Sequence, residues 1–133
     1  KLDDLTVFNY TEMGNDMLED GLYVLEDKLK DKAFFDKMTR FVKASMKGWD
    51  YAREHPEEAA QIVINNDDTG AQTLAHQQYM IKEVDKLTEG SNGVLDPAAF
   101  DRTAKMVLDQ KIITKQPEGA WTHDVTDAAG FKQ

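Results

Sequence analysis

Asn9-Tyr10-Thr11-Glu12-Met13-Gly14 gathers three side chains with recognition chemistry into one short stretch. Tyr10 offers a flat ring that can stack on a heteroaromatic ligand, Asn9 a paired donor and acceptor, and Glu12 an acceptor for an amine. Asn9, Tyr10 and Glu12 are therefore the candidate ligand-binding residues. The same stretch also reads as an ordinary strand-to-helix turn in which Thr11 caps the next helix.

Other constellations carry less. Asn65-Asn-Asp-Asp-Thr-Gly70 places oxygen-bearing residues and a glycine as the start of a calcium loop does, with Asn65, Asp67, Thr69 and Gly70 in register. The bidentate Glu that such a loop needs falls on His76, so a polar turn capped by Asp68 or Thr69 fits better. His55, His76 and His123 share no metal-ligand spacing and suit helix ends or the surface. His123 near Asp124 and Asp127 lacks a nucleophile or a paired carboxylate. Trp49 lies in an apolar helical stripe and is expected in the core, and Trp121 is expected to anchor an irregular tail. Gly90-Ser-Asn-Gly93 reads as a turn rather than a phosphate loop. No catalytic residue, metal site or cofactor is expected.

The chain has 133 residues, one domain or part of one, and is long enough to bury a core. Hydrophobic residues at 41% and charged residues at 31% are ordinary for a globular protein. The net charge of −9 and the scattered basic residues argue against nucleic acid and anionic membrane surfaces as partners. The absence of cysteine excludes disulfides, zinc-thiolate sites and a cysteine nucleophile from this segment. A start at Lys1 without Met or a leader fits a mature or excised polypeptide better than a primary translation product.

Leu5–Tyr10 and Leu22–Leu25 are rich in β-branched, aromatic and aliphatic residues and are expected to form two short strands. Thr11–Asp20 between them is a short helical or turning segment, with Gly21 a plausible cap. Beyond it the signal is helical. Phe34, Met38, Phe41, Val42, Met46, Trp49 and Ala52 recur at helical spacing within Lys32–Arg53. Pro56 cannot continue that helix but suits the first turn of another, Glu57–Asn65, where Glu57 and Glu58 meet the positive end of the helix dipole. Helices are further expected over Ala71–Glu89 and from Asp96-Pro97 to about Gln110, followed by an irregular tail after Pro117. Gly48 inside a helix suggests close approach of another backbone. Two strands seldom form a stable sheet alone, so their edges call for partners.

The pattern from Phe41 to Ile64, with Lys43-Ala, Lys47-Gly-Trp, Ala52 and His55-Pro-Glu-Glu-Ala-Ala60, resembles a known family. It looks like the C-terminal part of solute-binding proteins of ABC importers, in the branch for sulfonates, nitrate, riboflavin and thiamine pyrimidine precursors. The resemblance implies a fold class that is mainly α with two short strands in this chain, part of an α/β two-lobed periplasmic-binding-protein (type II) fold. Residues 1–31 then resemble a hinge-like strand, a short helix and a returning strand, and residues 32–133 the C-terminal helical portion. Asn9–Gly14 falls at the end of the hinge-like strand, where the family's cleft would lie. Glu118–Asp127 resembles the family's closing segment.

The function implied is capture of a small solute between two lobes and its delivery to ABC permease subunits, in the periplasm or on an extracytoplasmic lipid anchor. Tyr10 and Glu12 lean the solute toward a heteroaromatic or amine-bearing molecule. The chain would then meet the remaining N-terminal part of a parent chain, or a second copy covering the strand edges. Two other readings stand beside it: an iron-dependent thiamine-pyrimidine synthase-like enzyme, and a stand-alone helical interaction or dimerisation domain.

Overall fold

Helix boundaries in this chain follow its caps. The computed structural model describes residues 4–132, and six helices run through them: α1 (Glu26–Leu29), α2 (Lys32–Glu54), α3 (Pro56–Asn65), α4 (Leu74–Thr88), α5 (Pro97–Asp109) and α6 (Asp124–Ala129). The Asp31 side chain accepts from the Phe34 N–H at 2.9 Å and so satisfies one of the free donors at the start of α2. Thr73 does the same for α4 through the His76 N–H, and Asp96 for α5 through the Ala98 N–H at 3.0 Å. Pro56 occupies the first position of α3, as its missing N–H and fixed φ require. None of these helices is long and apolar enough to cross a membrane.

Two compact units result. One comprises residues 26–94 and 124–132: α2 packs against α1, α3, α4 and α6, and α3 also packs on α4. Its buried hydrophobic residues are Val42, Ala60 and Ala129, with Ala60 fully enclosed. Small side chains at these positions let the helices approach closely. The other unit comprises residues 4–25 and 95–123 and contains α5, whose Ala99 and Ala104 are buried. Leu18 N–H donates to Thr103 Oγ1 at 2.9 Å, and Arg102 pairs with Asp16 at 3.4 Å, so α5 holds the preceding irregular segment at these points.

The expected fold class is corrected by this architecture. Among the described residues there is no strand and no sheet, so neither the two short strands nor an α/β two-lobed arrangement is present. Residues 6–9 are irregular, 10–14 turn, and 15–25 are irregular again. The physical reason is lack of partners. Val7, Phe8, Leu22 and Tyr23 are 76%, 69%, 62% and 84% exposed, so the side chains that suit a pleated surface have nothing to pack against. Three smaller expectations also change. Trp49 is 47% exposed instead of buried in the core. A Cβ on Gly48 would meet nothing within 4 Å, so no backbone approaches it closely. The tail contains α6, a six-residue helix too short to show a period.

Candidate functional site

The stretch that begins at Asn9 is organised by Asn9 itself. Its Oδ1 accepts from the N–H groups of Thr11 at 3.1 Å and Glu12 at 3.4 Å, so Asn9 and not Thr11 closes the turn. Three backbone bonds complete it: Met13 N–H to Asn9 O at 3.1 Å, Gly14 N–H to Thr11 O at 3.0 Å, and Asn15 N–H to Tyr10 O at 2.8 Å. Gly14 takes φ +76°, a conformation open to glycine at little cost, which lets the chain reverse there.

Asn9, Tyr10 and Glu12 are all exposed on this one turn. Tyr10 is 67% exposed, so most of the residue's surface is open to solvent. Because the Asn9 carbonyl oxygen is engaged within the turn, its amide Nδ2 is the group left to address a ligand. The turn can therefore present a flat ring, an amide donor and a carboxylate, which is recognition chemistry rather than bond-making chemistry.

The other sequence candidates resolve into structural roles. Asp67 accepts from the Thr69 N–H at 2.9 Å and the Gln72 N–H at 2.8 Å, and also from the Thr69 hydroxyl. The Thr69 hydroxyl first, then the backbone donors, hold its carboxyl below the usual carboxylate range. A carboxylate so engaged organises the loop before α4, and among the described residues no group of three or more His, Asp or Glu could hold a metal ion. His55 ends α2, its ring 4.4 Å from that of Tyr51, whose hydroxyl donates to Glu58 at 2.7 Å across the Pro56 hinge. Glu58 raises the Tyr51 pKa by holding that proton. His123 Nε2 lies 2.8 Å from the Leu95 carbonyl, and Trp121 sits between His123 and Phe100, with ring centroids 4.7 and 6.5 Å away. Trp121 thus anchors its segment through ring contacts.

One feature escaped the sequence reading. Trp49, Ala52 and Arg53 of α2 and Ile81, Asp85 and Thr88 of α4 line a cavity of about 20 Å³, room for little more than one water molecule. Asp85 Oδ1 is shielded from solvent beside it and has no hydrogen-bond partner, while Arg53 turns to Asp50 at 2.7 Å. An acidic residue between Val84 and Lys86 on an amphipathic helix gives no sign of this in sequence.

Comparison with known proteins bears on the first part of the chain. A family model described as NMT1/THI5 like matches residues 1–59. That match supports the solute-binding family at a coarse level, and it spans the Asn9–Gly14 turn and all of α2. No curated protein and no solved structure matches the chain.

Proposed function

We propose that the chain is part of the solute-binding component of an ABC importer, acting outside the cytoplasm and passing a small solute to permease subunits. The family match over residues 1–59 is the observation that supports this reading. Asn9, Tyr10 and Glu12 are its proposed ligand contacts, and a heteroaromatic or amine-bearing solute suits a ring, an amide donor and a carboxylate. Thiamine pyrimidine precursors and riboflavin fit that chemistry better than nitrate or alkyl sulfonates. No covalent step is part of the proposal.

The test is a thermal-shift screen of the chain against those four classes and polyamines. A solute bound only by the folded state adds about 2.7 kcal/mol at a hundredfold excess over its Kd. A rise in Tm with an aromatic or amine-bearing solute, lost in Tyr10→Ala, is the expected result. A shift confined to nitrate or sulfonates, or one that Tyr10→Ala leaves intact, contradicts the assignment of these contacts.

A second reading, an interaction domain, is favoured by one observation. Eleven large apolar side chains between Leu5 and Leu25 are at least 39% exposed. Exposed apolar surface on this scale marks a contact with another polypeptide, either further sequence of a longer chain or a second copy. Solution mass at micromolar concentration distinguishes these: a stable dimer supports the second copy, and a monomer contradicts it.

A further inference from the structure

The loop after α4 contains Asn92-Gly93, and of the five asparagines, at 9, 15, 65, 66 and 92, only Asn92 precedes glycine. We infer that Asn92-Gly93 is a self-modification site at which the folded chain converts asparagine to aspartate or isoaspartate and so frees the segment after α6 from this loop. The reaction is intramolecular. The Gly93 amide nitrogen attacks Asn92 Cγ, the new N–Cγ bond forms, and the Cγ–Nδ2 bond breaks. Nδ2 leaves as ammonia, carrying its own two hydrogens and the proton given up by Gly93. Water then opens the cyclic imide at either carbonyl, which gives aspartate or isoaspartate at this position.

The nucleophile and the developing oxyanion each have a partner suited to their step, and the leaving group is held in place. The attacking N–H of Gly93 donates to Ser91 Oγ at 3.3 Å, an acceptor that polarises this bond while hydroxide from the mildly alkaline solvent removes the proton and returns it as water to the departing nitrogen. Asn92 Oδ1, on which negative charge develops, accepts from the Val94 N–H at 3.1 Å. A fixed donor aimed at a developing oxyanion lowers the barrier to its formation. Nδ2, the leaving group, donates to the Lys132 carbonyl at 2.7 Å, which fixes the side chain half-buried in the loop.

Packing keeps the nucleophile unshielded. Gly93 has φ +76°, and a Cβ there would lie 2.7 Å from Met46 Sδ of α2. The position therefore excludes the side chains that would slow the attack. The consequence is equally local. Conversion removes the donor to the Lys132 carbonyl and sets a carboxylate against that oxygen, so the segment after α6 loses its tie to this loop. An isoaspartate link also lengthens the backbone and moves Gly93 away from Met46.

The test ages the full chain at mildly alkaline pH, folded and in urea, and maps isoaspartate by enzymatic methylation and peptide mass analysis. The folded chain is expected to accumulate isoaspartate at Asn92 and at none of the other four asparagines. Ser91→Ala should slow conversion in the folded chain and leave the urea sample unchanged, and trypsin should cut after Lys132 faster in converted chains than in fresh ones. Survival of Asn92 in the folded chain while the unfolded chain converts would overturn the inference. So would an unaltered folded rate in Ser91→Ala, or cleavage after Lys132 indifferent to conversion.

Discussion

Residues 32–54 and residues 5–25 carry eleven hydrophobic residues each, yet the first is one continuous helix and the second is turn and irregular chain. Apolar content does not separate them. In α2 the apolar residues recur at helical spacing, Asp31 caps the start, and α1, α3, α4 and α6 pack against the result. Residues 5–25 have no such period. Their charged side chains, Glu12, Asp16, Glu19 and Asp20, are all acidic, so no opposite charge within the segment pairs with them as Lys32 does with Asp36 and Arg53 with Asp50 inside α2. Local order in this segment comes from the Asn9 turn and from two ties to α5. The comparison shows that burial needs a partner surface at the right period. β-branched and aromatic residues alone do not create a strand.

The sharpest way to break the comparison is to place a charge in each region. Ala60→Asp buries an unpaired carboxylate at a fully enclosed position, and urea unfolding should show a loss of about 3–5 kcal/mol. Tyr23→Asp, at 84% exposure, should stay within about 0.5 kcal/mol of the parent chain. Equal losses at the two sites would mean that residues 5–25 are packed as firmly as the helices. Gly93→Ala comes next, at about 1–2 kcal/mol for a side chain forced into left-handed backbone, with its crowding of Met46 added. Asp31→Ala should lower the unfolding free energy by about 1 kcal/mol through loss of the α2 cap.

The smallest expected effect is on pH dependence. The Thr69 hydroxyl and the Gln72 and Thr69 N–H groups depress the Asp67 pKa in the folded chain. A folded value below the unfolded one means that its stabilisation is complete above the ordinary carboxylate pKa and is lost as pH falls through the depressed value. The Gln72 and Thr69 amide resonances should follow that acid transition, and Asp67→Asn should abolish it.

The four longer helices, α2 to α5, were legible because each has local signals, whereas α1 lies where a returning strand was expected. Asp96-Pro97 announces α5, His55-Pro56 separates α2 from α3, and the stripe from Phe34 to Ala52 marks α2. What was not legible depends on groups distant in sequence or on absent ones. Leu5–Tyr10 has strand-like residues, but pairing is decided by a neighbour the segment does not have. Asp85 looks like any surface acid, and only the packing of α2 on α4 shields its Oδ1. α6 covers six residues, fewer than two full turns, so periodicity could not reveal it. The Asn9–Gly14 turn was legible as a turn, but the choice of Asn9 over Thr11 as its closing residue rests on backbone geometry.

The central claim is that the Asn9–Glu12 turn meets a small solute. Its most direct test is to titrate the chain with thiamine pyrimidine precursors and riboflavin while following backbone and side-chain resonances by NMR. The account predicts saturable shifts centred on Asn9, Tyr10 and Glu12, with the Asn9 Nδ2 hydrogens among the most affected and α3 and α4 unmoved. Shifts centred on Trp49 and Asp85, or no shift with any solute at millimolar concentration, would contradict it.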